Sequence, residues 1–109
     1  MPKLNLKKLA SSLFEEFLPF AVRNCNLLIN DVPDSLYVDK DHALAKSVIS
    51  GMISNILTDA GNKCIRLSAR IFEGIIFLNI TDGKGINYCG VIEGYQEANV
   101  IYFTYNLAA

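Results

Sequence analysis

The chain of 109 residues predicts an α+β fold: a two-layer α/β sandwich whose mixed, mainly antiparallel sheet carries two helices on one face. Three observations predict it. Two segments, one opening at Leu6 and one after Asp39 or Asp41, carry apolar residues at three- and four-residue steps. From Cys64 onward the pattern changes to alternation with a period of two, broken by glycine-containing turns. The order helix, strand, helix and then a run of strands suits a single layer of helices on a single sheet, and the length suits one domain over residues 1–109.

The first helix follows from Leu6, Leu9, Leu13, Phe17 and Phe20 on one side and Lys7, Lys8, Glu15 and Glu16 on the other. Asn5 is placed to cap it, and Pro19 should loosen its last turn. Asn24–Val32 reads as a strand, with Cys25, Leu27 and Ile29 alternating with Asn26 and Asn30. Asp31-Val32-Pro33-Asp34-Ser35 is a turn, because Pro33 lacks a donor and Asp34 and Ser35 bond their own backbone. Leu36-Tyr37-Val38 is a short extended piece.

The second helix carries Leu44, Val48, Ile49, Met52, Ile53, Ile56 and Leu57 as a wide apolar stripe. Gly51 within it costs about 1 kcal/mol against alanine and implies a close approach. Gly61 is placed to end it as a left-handed cap. Cys64–Ile71 and Ile75–Thr81 form a hairpin around Phe72-Glu73-Gly74. Ile65, Leu67, Ala69 and Ile71 share its inner face with Ile76, Leu78 and Ile80, while Arg66, Ser68 and Arg70 make the other face wet. Asn87–Ile92 and Val100–Leu107 are the remaining strands, the latter with Ile101, Phe103, Tyr105 and Leu107 on one face.

Composition bounds the function. Ten basic and eleven acidic residues give a net charge of -1 and are mixed along the chain, so there is no basic footprint for nucleic acid. Uncharged apolar stretches are too short to insert in a membrane, and Met1–Ala10 lacks the apolar core of a signal peptide. Cys25, Cys64 and Cys89 read as buried, reduced thiols, which fits a cytoplasmic location. The hydrophobic share of 51% and mean hydropathy of +0.28 are high and suggest apolar surface reserved for a partner. The only histidine, His42, stands at a helix start and reads as solvated; no nucleophile set can be assembled around it.

Asp82-Gly83-Lys84-Gly85-Ile86 closes the apolar run Ile75–Ile80 and looks like a glycine-rich loop able to cradle a nucleotide. Strand phase continues the inner face from Ile80 to Asp82, so its carboxylate should point toward the helices. Asn55, on the second helix, is the companion by spacing. Asp82 accepting N–H groups of its own turn, with Gly83 and Gly85 as turn glycines, is the competing reading of the same residues.

Together these residues resemble the ATP-binding domain of bacterial sensor histidine kinases, within the gyrase–Hsp90–histidine kinase–MutL fold group. The opening helix Leu6–Val22, the strand at Asn26–Asp31 and the segment Val32–Asp41 resemble the start of that domain. Val48–Asn55 resembles its asparagine-box helix, Cys64–Gly85 the hairpin leading to its first glycine box, and Tyr102–Leu107 its closing strand. The departures are specific. The family has two asparagines four residues apart, the second holding magnesium; here Gly51 replaces the first and Asn55 keeps the second. The phosphate-facing basic residue is Thr58. Asp82, counterpart of the adenine-binding acid, runs directly into Gly83-Lys84-Gly85, one residue short of the family's spacing. The ATP lid, the second glycine box and its helix have no counterpart between Ile86 and Val100.

The resemblance with these departures implies a shortened module without ATP hydrolysis or phosphotransfer, acting by protein interaction in two-component signalling, with a response regulator or histidine kinase as partner and no cofactor. Two alternatives remain at this point. One is a weak nucleotide binder keeping an adenine site at Asn55, Asp82, Gly83 and Gly85, with ATP and magnesium. The other is a phosphotransfer accessory subunit. Loss of the lid should uncover Met52, Ile56, Ile86 and Tyr88, a candidate interface for a homodimer or a partner.

Overall fold

The computed structural model describes residues 3–39, 43–93 and 99–106. Along the chain run β1 (Lys3–Asn5), α1 (Leu6–Arg23), β2 (Leu27–Asp31), β3 (Tyr37–Asp39), α2 (Ala43–Asp59), β4 (Cys64–Phe72), β5 (Ile75–Thr81), β6 (Ile86–Glu93) and β7 (Asn99–Asn106). The main sheet has five strands in the order β2-β4-β5-β6-β7; β2 and β4 are parallel and the rest antiparallel. Both helices pack together, and residues of both join the sheet in one core. The predicted α+β sandwich is therefore the observed one. Missing from the sequence reading is a small second sheet, in which β1 pairs antiparallel with β3.

Asn5 caps α1 as expected: its side chain accepts from the Lys8 N–H at 3.0 Å. Its Nδ2 also donates to the Asp34 carbonyl at 2.8 Å, which ties the helix start to the turn before β3. Leu6, Leu9, Ala10, Leu13, Phe14 and Ala21 are buried. Phe17 is half-buried, and Phe20, expected in the core, is 53% exposed. The helix continues past Pro19 to Arg23, whose guanidinium lies 5.5 Å from the Phe20 ring centre.

The chain leaves α1 through a Schellman motif. The Asn26 N–H donates to the Ala21 carbonyl at 2.8 Å and the Cys25 N–H to the Val22 carbonyl at 3.0 Å. Cys25 holds the left-handed position, with φ 58°, that glycine usually takes there. This corrects the strand expected from Asn24: Cys25 belongs to the cap, and the strand begins at Leu27. Asn26 is buried and links three elements. Its Nδ2 donates to the Ala60 carbonyl at 3.1 Å, and its Oδ1 accepts from the Lys63 N–H at 3.0 Å. Beside it the Leu27 N–H reaches the Lys63 carbonyl at 2.9 Å, where the parallel pairing of β2 with β4 starts.

In α2 the stripe Val48, Ile49, Met52, Ile53, Ile56 and Leu57 is buried as expected. Asp39 closes β3 instead of starting the helix, and Asp41 and His42 lie outside the described residues. The left-handed residue after α2 is Asn62, with φ 59°, and not Gly61. Gly51 is half-buried, and a close approach is seen at Gly90 on β6. A Cβ there would come within 2.7 Å of Val48 Cγ1 and 2.9 Å of Met52 Sδ.

The β4–β5 hairpin turns on Glu73 and Gly74, both with positive φ (51° and 77°), as the right-handed twist of a two-residue turn requires. Ile65, Leu67, Ile76, Leu78 and Ile80 are buried; Ala69 is half-buried, and Ile71, near the hairpin tip, is exposed. The opposite face carries an Arg66–Asp31 ion pair between parallel neighbours, each side chain about half exposed. It is not uniformly wet, because Phe72 and Phe77 are exposed there. The thiols also differ from expectation: Cys25, in the cap, and Cys64, at the start of β4, are exposed, and Cys89 is half-buried. The β7 side chains, and Leu107, lie outside the described residues.

Two substitutions test this packing. Gly90→Ala should cost about 1–3 kcal/mol, because Val48 is stiff at its branch point and cannot swing aside cheaply. Asn26→Ala should cost about 1–3 kcal/mol for each partner left without water, through the Ala60 carbonyl and Lys63 N–H. Denaturant unfolding measures both; a loss below about half a kcal/mol, the range of surface substitutions, would refute the contact concerned.

Candidate functional site

The Asp82 loop is built from the strand pair around it. Thr81 pairs with Asn87, so Asp82–Ile86 is a tight connection from β5 straight into β6. Asp82 continues the inner face beyond Ile80 and is buried at 5% exposure, as strand phase predicted. Its Oδ1 accepts from the Lys84 N–H at 2.7 Å and from the Ile86 N–H at 3.2 Å. The Asp82 N–H donates to the Ile86 carbonyl at 3.3 Å, and Thr81 Oγ1 accepts from the Gly83 N–H at 3.0 Å. Gly83 and Gly85 have φ of 74° and 117°. A Cβ at Gly83 would touch nothing within 4 Å, so the backbone conformation, not space, calls for glycine there. Two of the loop's N–H groups thus converge on one carboxylate oxygen of the loop itself. They form a closed turn.

Asn55 is exposed on α2, whereas Asp82 is buried within its turn; the two candidates stand in different environments. Thr58, at the position where the resemblance expects a basic residue, donates its hydroxyl to the Ser54 carbonyl at 2.8 Å, back onto its own helix. Neither described hollow is lined by Asn55 or Asp82: one lies by Phe17, Phe20 and Thr58, the other by Arg70, Phe77 and Val91. Among the described residues no group of three or more His, Cys, Asp or Glu is placed to hold a metal ion.

The candidate interface is corrected by the burial of its helical half. Met52 is 0% and Ile56 1% exposed, inside the chain's own core. Ile86 and Tyr88 are half-buried, and Tyr88 packs against that core. The reason is the short connection: β6 pairs with β5 at once, and β6 and β7 run beneath α2, which contacts both. The surface expected to be bare is covered from within.

Sequence reasoning missed a polar pair on the far side of the sheet. Asn79 Nδ2 donates to Asn87 Oδ1 at 2.9 Å, and Asn87 is only 7% exposed. The Asn79 side-chain oxygen, Oδ1, is buried and has no hydrogen-bond partner among the described residues. The available signal was two asparagines at outward positions of neighbouring strands.

No protein-family model matches the chain, and no curated protein is similar to it by sequence. Solved structures are. The catalytic domain of histidine kinase ThkA, nucleotide-free, superposes with a TM-score of 0.65 at 16% identity, over 79% of this chain and 58% of that one. Acinetobacter baumannii histidine kinase AdeS gives 0.66 at 12% identity, over 99% of this chain and 68% of that one. ThkA in complex with the response regulator TrrA gives 0.62 at 16% identity, over 79% of this chain and 25% of that one. The chain thus spans less than two thirds of the ThkA catalytic domain. At these identities the likeness is one of fold: this is a histidine-kinase ATPase-like fold, as the sequence resemblance implied.

The turn yields a direct test. Asp82→Ala leaves two N–H groups without their acceptor and should cost about 1–3 kcal/mol. Asp82→Asn keeps an amide oxygen in the same place and should recover most of that loss. Equal losses for both variants in thermal or denaturant unfolding would mean that the negative charge matters more than the hydrogen bonds.

Proposed function

We propose that this chain is a non-catalytic, histidine-kinase-like module of bacterial two-component signal transduction. It works in the cytoplasm by protein interaction, with a response regulator or a histidine kinase as partner. The observation that carries the non-catalytic half is the closed Asp82 turn. One of its two carboxylate oxygens, Oδ1, accepts from the Lys84 and Ile86 N–H groups, and the loop passes directly into β6. A nucleotide would need that carboxylate for the base, and would need a helix N-terminus or a nest of free N–H groups for its phosphates. The loop spends the N–H groups of Asp82, Gly83, Lys84 and Ile86 internally, and Thr58 stands in place of the phosphate-facing base. Both features argue against a site for ATP with magnesium.

The partner half rests on the fold, shared with kinase domains of which one, ThkA, is solved in complex with a response regulator. The weak adenine site remains the second reading because one observation favours it: Asp82 does lie on the helix side of the sheet, at the end of β5. No particular observation favours the accessory phosphotransfer role.

Calorimetry with ATP and magnesium tests the first half. The expected result is no turnover, and binding no tighter than millimolar, about -4 kcal/mol. A micromolar dissociation constant abolished by Asp82→Asn would overturn the proposal in favour of the adenine site. Titration with purified receiver domains of response regulators tests the second half; micromolar binding to one of them is expected, and binding to none, with none to kinase dimerisation domains either, would remove it.

A further inference from the structure

The five-stranded sheet has two edges, and they are built differently. The β2 edge is short, five residues, and ends in Asp31, whose carboxylate pairs with Arg66. Its Asn30 is tied inward: Nδ2 donates to the Lys7 carbonyl at 3.0 Å and to Ser11 Oγ at 2.9 Å, while Oδ1 accepts from the Val32 N–H at 3.1 Å. Shortness, charge and side-chain cover are the usual ways of closing an edge to other strands. The β7 edge has none of the first two. It runs for eight residues, in unbroken register with β6 from Glu93↔Asn99 to Ile86↔Asn106. Its sequence, Asn-Val-Ile-Tyr-Phe-Thr-Tyr-Asn, has no charge, no proline and no glycine, and six of the eight residues are β-branched or aromatic. Among the described residues no strand pairs with its other side. Alternate N–H and C=O groups along that side point outward in the plane of the sheet.

We propose that β7 is an interaction edge whose occupant is β7 of a second copy of this chain, paired antiparallel about a two-fold axis so that two sheets become one. Three features select that occupant over a foreign strand. An edge of this kind takes an extended, uncharged segment of similar length, and β7 is itself such a segment. Self-pairing sets no like charges against each other, since Asn99–Asn106 carry none. The two-fold contact uses the same edge on both copies and so closes: the guarded β2 edges are what the joined sheet presents outside, and growth stops at the dimer. The proposal is independent of the signalling role above, and it moves self-association away from the buried Met52 and Ile56.

Sedimentation of the full chain across the micromolar range should show a reversible dimer. Amide hydrogen exchange by NMR on the unmodified chain then locates it. In a monomer only those β7 amides that face β6 are protected; in the proposed dimer the alternate, outward amides of β7 slow as well, and become fast again on dilution. Phe103→Lys sets two positive charges near the two-fold axis and should weaken dimerisation roughly tenfold, with partial recovery at high salt. If that variant does not fold, the exchange pattern alone decides. A monomer throughout the range, a dimer whose outward β7 amides stay fast, or a folded Phe103→Lys chain that dimerises like the parent would overturn the proposal.

Discussion

One buried amide ties this fold together. Asn26 stands where α1 has just ended, and its side chain holds both the last carbonyl region of α2 and the first N–H before β4. A buried side-chain amide is costly unless its groups are paired, and here the donor and the acceptor both are. The result is that two helix exits and the start of the parallel β2–β4 pair are set by one residue. Parallel pairing needs such a device more than a hairpin does, because its strands are joined through a long crossover and no turn fixes their register. From that corner the rest follows by short-range steps: β4 turns tightly into β5, and β5 into β6.

The second constraint is the closeness of α2 to β6. Gly90 leaves room for Val48 and Met52, and that contact brings the apolar stripe of α2 flat onto the sheet. The Asp82 turn is what puts β6 in place to receive it. A longer connection after Thr81 would free the loop's N–H groups for a ligand but would not deliver Gly90 beneath the helix at once. The same short loop therefore completes the core and turns N–H groups of Lys84 and Ile86 onto its own carboxylate. The chemistry that the resemblance led one to look for and the packing that the fold achieves compete for the same residues.

Much of this was legible in the sequence, and the parts that were not have identifiable reasons. Periodicity placed α1, α2, β4 and β5 and the inner face of Ile76, Leu78 and Ile80, because each segment is long enough for its period to show. Asp82 was placed on the helix side by the same period. β1 was not legible: three residues cannot show alternation, and its pairing with β3 is a tertiary contact. Cys25 was misread because Cys25, Leu27 and Ile29 happen to alternate, while the real signal, a left-handed cap, lacks its usual glycine. The interface at Met52 and Ile56 failed because it rested on what the full-size domain that the sequence resembles would keep there, whereas both side chains are buried. The chain had filled that ground with its own β6 and β7. Asn26 and Gly90, on which the packing turns, gave no signal, since their importance lies in what they meet across the fold.

The two edges of the sheet carry the last step of the argument. Both belong to a sheet that is covered by helices on one side, and both would expose backbone groups if left alone. At β2 the sequence answers with Asp31, Arg66 and the inward bonds of Asn30. At β7 it answers with no charged residue over eight positions. Such an asymmetry is not what stability within one chain calls for, since edge strands commonly carry charges. An edge strand kept free of charge is instead what strand addition requires, and a β7 edge meeting its own copy would spend that feature without leaving another one exposed.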